Sequence, residues 1–224
     1  MLSPFGYAMG SILRENRMYK KIWKRLFDII FAVLGFPFFL ILLIIVAAMI
    51  LLDDQGPVFY AADRLGKDGK IFRMYKFRSM KTNAPDYRNS DGSTFNSMAD
   101  DRVTPVGRLL RKTSIDEIPQ IMNVLAGNMS FIGPRPDLPD AMDIYSERDK
   151  QKLSVLPGIT GLSQAYYRNS STLEQRFSAD VYYAEHVSLT LDMKILFKSI
   201  WTIIAQKNVY RNNGESNDNR KGSV

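Results

Sequence analysis

From Ile29 to Leu52 the chain runs for 24 residues without a charged side chain. About 20 apolar residues suffice to cross the hydrocarbon core of a bilayer. This stretch therefore reads as a membrane segment, and any fold must leave part of it against lipid. Asp53-Asp54 closes it, and no small-residue cleavage site follows, so it reads as an anchor rather than a cleaved leader. Two features argue against a simple crossing. Pro37, after Gly35, removes a helical hydrogen bond and predicts a break, leaving an arm from Phe38 to Leu52 that reaches only about 22 Å, short of the ~30 Å core. Basic residues also flank both ends: Arg14, Arg17, Lys20, Lys21, Lys24 and Arg25 before, and Arg64, Lys67, Lys70, Arg73, Lys76, Arg78 and Lys81 after. A helix that enters, turns at Pro37 and returns keeps both sets on the cytoplasmic face, as the positive-inside preference asks. A kinked transmembrane anchor is the plainer alternative, because proline is tolerated in such helices.

The 224 residues suffice for one domain with an attachment. With no cysteine and a single histidine, His186, disulfides, thiolate chemistry and multi-histidine metal clusters are excluded. His186 itself reads as a surface or structural histidine. A formal net charge of +7 points to an anionic partner: lipid headgroups, nucleotide phosphates or nucleic acid. No phosphate-cradling glycine loop is present, and Tyr75-Lys76-Phe77-Arg78 is only a faint echo of an RNA-binding surface, so nucleic acid is not expected.

The expected organisation is a lead-in over 1–19, a re-entrant membrane helix over 20–52, a catalytic domain over 53–210 and a disordered tail over 211–224. Asp68-Gly69 predicts a hairpin turn between strands near Tyr60 and over Ile71–Arg78. Residues 82–101 read as a polar loop, Val106–Arg111 as a short basic helix, and Asp140–Val155 as a charged surface helix. Pro157–Gly161 reads as a turn, and Thr172–His186 and Leu191–Ile204 as further helices, the last amphipathic. The fold class is thus α+β and mostly helical, a small catalytic domain with one short hairpin and interfacial amphipathic helices.

Within that domain, Thr113-Ser114-Ile115-Asp116-Glu117-Ile118-Pro119-Gln120 places two adjacent carboxylates after Arg111-Lys112. Ile115, Ile118, Met122 and Leu125 recur at helical spacing, and Ser114 with Glu117 three residues later matches a capping box. That accounts for Glu117 as a structural residue but not for Asp116. In the positive field of a helix N-terminus near Arg111, Asp116 should stay ionised and bind a divalent cation or act as a nucleophile. Lys76, Arg78, Arg102, Arg108, Arg111 and Arg135 recur around it. Phosphoryl transfer needs little beyond positioning and charge neutralisation, and an aspartate can carry the phosphoryl group covalently.

These segments, in this order, resemble the small monotopic phosphoglycosyl transferases, the bacterial sugar transferase family acting on polyprenyl phosphate. The resemblance rests on Lys24-Arg25-Leu26-Phe27-Asp28, Gly56-Pro57-Val58-Phe59, Tyr75–Met80, Asp101–Thr104 and Val106–Arg108. It continues through Leu110–Gln120, Asn123–Ser130, Ile132–Pro136 and Pro157–Gly161, covering roughly residues 20 to 205. It implies that Asp116 attacks the β-phosphate of a UDP-sugar and that UMP leaves. Polyprenyl (undecaprenyl) phosphate then collects the sugar phosphate from the aspartate, starting a lipid-linked glycan at the cytoplasmic face of a bacterial inner membrane. It further implies Mg²⁺ held by Asp116 and Glu117, and phosphate binding by Arg111 and Arg135. Lys76 and Arg78 would support the pocket, and the segment up to Arg168 and Asn169 would face the nucleotide-sugar. A homodimer is left open.

Three departures stand out: Phe36 precedes Pro37 where serine is usual, Leu162-Ser163 replaces Trp-Ala, and Tyr166-Tyr167 replaces Asn-Gly. The last puts the shape of the nucleotide-side loop in question. The stretch Phe177–Ile195 resembles members that transfer N-acetylated amino sugars. Two rivals remain: a non-catalytic protein docking on anionic lipid, and a membrane-bound metal-dependent phosphatase.

Overall fold

The structure, a computed structural model, describes residues 18–87, 97, 100–167 and 172–205. The long apolar stretch forms one helix, α1, Lys24–Asp54, preceded by a π-helical turn at Tyr19–Trp23. The expected break at Pro37 is not an interruption: the helix continues through it. Proline removes a single N–H donor, and the flanking turns keep their own bonds. It is the one helix among the described residues long and apolar enough to cross a membrane.

One stripe of α1 is buried along its whole length. Ala32, Phe39, Val46 and Ile50, at intervals of seven, seven and four residues, pack with Phe72, Met74, Phe77, Leu110, Ile121 and Val124 of the domain. The opposite side stays uncovered, with Phe38 and Ile44 each 73 % exposed. Polar contacts fix both ends to the same domain. Near the start, Lys24 pairs with Asp192 at 2.7 Å, Arg25 donates to the Val124 carbonyl at 2.8 Å, and Asp28 accepts from Ser130 and the Phe131 N–H. At the other end Asp53 accepts the Val106 N–H at 3.1 Å, and Asp54 takes two donors from Arg78. The basic cluster before the membrane stretch is partly engaged with the domain: Lys20, Lys24 and Arg25 all bond to it, although Lys20, like Lys21, remains exposed.

The hairpin forms where expected. β1, Phe59–Leu65, pairs antiparallel with β2, Ile71–Phe77, from Phe59 opposite Phe77 to Leu65 opposite Ile71. Asp68 (φ 57°) and Gly69 (φ 73°) both take the left-handed conformation that a tight hairpin turn needs. Helix α2, Pro105–Thr113, is capped by Thr104, whose hydroxyl accepts the Gly107 N–H at 2.9 Å. A 3₁₀ segment, Ile115–Gln120, then leads into α3, Ile121–Ala126, which Gly127 (φ 85°) ends.

Two strands distant in sequence then meet. β3, Ser130–Ile132, runs parallel to β4, Gly158–Thr160, so the middle of Pro157–Gly161 is a short strand where a turn was expected. The glycines of the two motifs explain it. A Cβ on Gly158 would lie 2.1 Å from the Gly133 nitrogen, and one on Gly161 would lie 2.0 Å from the Gly133 oxygen. Only bare backbone allows this approach. Helices α4, Leu162–Tyr166, α5, Leu173–Glu185, and α6, Leu189–Ile204, complete the domain. Thr172 and Gln175 form a reciprocal cap at the start of α5, and His186 ends it exposed, with Nδ1 2.9 Å from the Tyr182 carbonyl.

The surface helix expected over Asp140–Val155 is absent; 3₁₀ segments at Pro139–Asp143 and Asp149–Ser154 stand there. Lys152 is the reason. It is fully buried and draws the chain inward by bonding Asp137 at 2.7 Å and Asp180 at 2.6 Å. The lead-in up to residue 17, most of the 82–101 loop, Arg168, Asn169 and the tail lie outside the described residues.

Candidate active site

Asp116 is buried beside β2, at the wall of an open cleft of about 1470 Å³. Its position depends on a turn that the capping-box reading missed. Ser114 adopts φ 60°, ending α2, and its side chain makes no capping bond. An α-helix starting there would need the Pro119 N–H to reach the Ile115 carbonyl, and proline has none. The chain takes a 3₁₀ course until Ile121 instead. The core side is carried by Ile121 and Val124, with Ile115, Ile118, Met122 and Leu125 half-buried around them. Asn123, also buried, accepts the Tyr75 N–H and donates to the Arg73 carbonyl, fixing this segment against β2.

Glu117 accepts from Lys76 at 2.6 Å, which ties the carboxylate pair to the hairpin. Asp116 does not sit at an α-helix N-terminus, and burial outweighs the nearby cations in setting its acidity. Burial pushes it up to about 6, the neighbouring Glu117 adds to the rise, and Lys76 and Arg111 oppose it. At pH 7 roughly nine-tenths of such a group is ionised. What results is a desolvated carboxylate that is mostly charged at neutral pH.

Lys76, Arg78, Arg102, Arg111 and Arg135 all line the cleft with Asp116. Arg111 is steadied by Ser79, whose hydroxyl accepts its Nε–H at 2.9 Å. Arg135 is half-buried, held in place by Pro134 and Pro136, and no ion pair or hydrogen bond ties its guanidinium to another described residue. Two of the arginines are held by protein carboxylates. Arg78 bonds Asp54, the Pro57 carbonyl and Thr82, which makes it a clamp between α1 and the hairpin. Arg102 is paired with Asp100 at 2.7 Å, and Arg108 is exposed on α2.

Among the described residues no three histidine, cysteine or acidic side chains cluster as a metal cage. Asp116 with Glu117 fits a different pattern, in which one or two carboxylates, waters and substrate phosphates complete the shell of a magnesium ion.

Sequence reasoning missed the far wall of the cleft, where Arg176 of α5 reaches Asp137 at 3.3 Å. Asp137 also accepts from Lys152 and from the Tyr145 hydroxyl at 2.6 Å. Its burial opposes ionisation, but Lys152 and Arg176 hold it down to about 2. No local pattern reveals this network, because its members are scattered between residues 137 and 180.

The bacterial sugar transferase model matches residues 19–206. The chain is 38 % identical over 203 residues to the uncharacterized sugar transferase EpsL of Bacillus subtilis (strain 168), covering 90 % of this chain and 97 % of that one. It is 40 % identical over 202 residues to the UDP-N-acetylgalactosamine-undecaprenyl-phosphate N-acetylgalactosaminephosphotransferase of Aeromonas hydrophila, covering 88 % of this chain but only 46 % of that longer protein. Against the UDP-glucose:undecaprenyl-phosphate glucose-1-phosphate transferase of Caulobacter vibrioides (strain ATCC 19089 / CIP 103742 / CB 15) the identity is 36 % over 197 residues, 84 % of this chain and 72 % of the relative. The match runs from the π-helical turn before α1 to just past the end of α6, so the helix, the cleft and the carboxylate pair all fall within it, and the chain belongs to the bacterial sugar transferase family.

Proposed function

We propose that the chain transfers a sugar 1-phosphate from a UDP-sugar to polyprenyl phosphate at the cytoplasmic face of a membrane. The observation that carries this is a buried carboxylate, Asp116, flanked by Lys76 and Arg111 in a cleft built against a long apolar helix. Relatives named for phosphotransfer to undecaprenyl phosphate support the acceptor class.

In the first half-reaction an Asp116 carboxylate oxygen attacks the β-phosphorus of the UDP-sugar. The bond from that phosphorus to the bridging oxygen breaks, UMP departs with the oxygen, and the phosphosugar remains as an acyl phosphate. In the second, a phosphate oxygen of polyprenyl phosphate attacks the same phosphorus and the carboxylate leaves, giving polyprenyl diphosphate sugar. Arg111 and Arg135 bind the phosphate oxygens as planar, bidentate donors. Lys76 holds Glu117 and keeps the Asp116 charge accessible near neutral pH. Asp116 and Glu117 would hold Mg²⁺, which when bound neutralises phosphate charge.

A monotopic, re-entrant placement is supported by the contacts of α1. Straight, its 31 residues would reach about 46 Å, yet both ends bond to the one domain and a buried stripe runs between them. A crossing helix would carry one end to the opposite leaflet from the domain. The outward side, with Phe38 and Ile44, is left for lipid, as is the exposed row Met193, Phe197, Ile200, Trp201 and Ile204 on α6.

Incubating purified protein with a panel of UDP-sugars, with and without undecaprenyl phosphate, tests the proposal. UMP should be released, lipid-linked sugar formed, and radiolabel from the donor trapped on residue 116 when acceptor is withheld. Release of inorganic phosphate instead, or full turnover by Asp116→Ala, refutes it.

A further inference from the structure

The strand that carries Lys76 runs on beyond Phe77, and Ser79, three residues after Lys76, meets a second cation of the cleft. Its hydroxyl accepts the Nε–H of Arg111 at 2.9 Å, and both residues line the cleft. Backbone contacts lock the two elements together around this bond. Met80 bridges Val103, the Lys81 N–H reaches the Arg102 carbonyl at 2.8 Å, and the Ser79 carbonyl accepts the Thr104 N–H at 3.2 Å. Gly107 of α2 then comes so near that an added Cβ would stand 2.0 Å from that same Ser79 carbonyl oxygen. Arg111 lies four residues after Gly107 and so shares its face of the helix. The bare backbone at Gly107 thus brings α2 close enough for the buried Ser79 side chain to reach the root of the guanidinium.

Nε lies in the guanidinium plane, so a hydrogen bond there fixes that plane and the directions of the terminal N–H groups. Arg111 also stands near enough to Asp116 for its charge to draw that carboxyl's pKa down against burial. The phosphorus that bonds to Asp116 carries the phosphate oxygens closest to this arginine. On the reading that Asp116 attacks the β-phosphorus of a UDP-sugar, we infer that Ser79 is a positioning residue. It holds the Arg111 fork toward the transferred phosphoryl group rather than toward the phosphate that leaves with UMP.

The test measures kcat with a UDP-sugar and undecaprenyl phosphate, inhibition by UMP, and melting temperature for native protein, Ser79→Ala, Arg111→Lys and the double variant. Releasing a charged donor from its fixed geometry should lower kcat by roughly 10- to 100-fold in Ser79→Ala. UMP lacks the transferred phosphate, so its inhibition constant should stay within about twofold of native. Lysine has no Nε–H, so in the Arg111→Lys background the same alanine should cost less than about twofold more, a coupling that a merely structural serine would not show. Ser79→Cys keeps the size but offers only a weak acceptor, so it should lose rate as well, and it serves if the alanine variant does not fold. Native kcat in both serine variants, an undiminished loss in the Arg111→Lys background, or a UMP constant that rises in step with the loss overturns the inference. If native protein releases UMP from no UDP-sugar, the transfer reading has failed and this inference with it; an active native chain beside an uncoupled serine defeats only the role of Ser79.

Discussion

Replacing Asp116 with asparagine should abolish transfer and yet stabilise the protein, increasingly so as pH rises. Burial raises this carboxyl from 3.8 to about 6, so between those values the folded state binds more protons than the unfolded one. Stability therefore falls as pH climbs through that window and levels off above it. The shift corresponds to ~3 kcal/mol against the folded state at pH 7, roughly half of it accrued by pH 5. Asparagine keeps the shape and has no such titration. The gap in unfolding temperature between Asp116→Asn and native protein should thus widen by about 3–5 °C from pH 5 to pH 7, at roughly 2–4 °C per kcal/mol for a chain of this size. Thermal melts of detergent-solubilised protein, with EDTA and without nucleotide, measure it directly. The difference between the two proteins cancels titrations they share. A gap that stays constant with pH, or one that closes as pH rises, would refute the claim that the Asp116 carboxylate is kept desolvated at the expense of the fold.

Further outcomes follow from the same geometry. Transfer by native protein should fall off below about pH 6 as Asp116 takes up its proton, and because Lys76 lowers the pKa of Asp116, Lys76→Met should move the acid limb of the rate profile to higher pH. Lys152→Met leaves Asp137 and Asp180 buried without their shared cation and should cost on the order of 3–5 kcal/mol, read by denaturant unfolding. Single cysteines near residues 15 and 60 should react with an impermeant maleimide only from the cytoplasmic side; labelling of either from outside would restore a spanning helix. EDTA should suppress UMP release, with Mg²⁺ restoring it, whereas undiminished release in chelator would exclude the assignment of Asp116 and Glu117 to a cation.

The parts of the molecule written in neighbouring residues were legible before any coordinates. Asp68-Gly69 announced the hairpin, and Gly127 marked the end of α3. The 3₁₀ course before α3 was signalled by Pro119 but overshadowed by the apparent cap at Ser114. Illegible were features created by contact across the chain. Lys152 reads as one more solvated charge until Asp137 and Asp180 close on it from 15 and 28 residues away. The charge of Asp116 was inferred from neighbouring cations alone and its raised pKa was not foreseen, because its burial is made by β2, some 40 positions earlier, and one sequence window cannot show desolvation. That Asp54 would hold Arg78 was likewise invisible, since nothing local pairs residues 24 positions apart.

The stripe of Ala32, Phe39, Val46 and Ile50 has a practical consequence for anyone handling the protein. Excising α1 to obtain a water-soluble enzyme would strip the lid from Phe72, Phe77, Leu110 and Val124, creating a new sticky surface in the act of removing an old one. A single rod answers to two solvents at once, and the catalytic half cannot be separated from its anchor without losing its own interior.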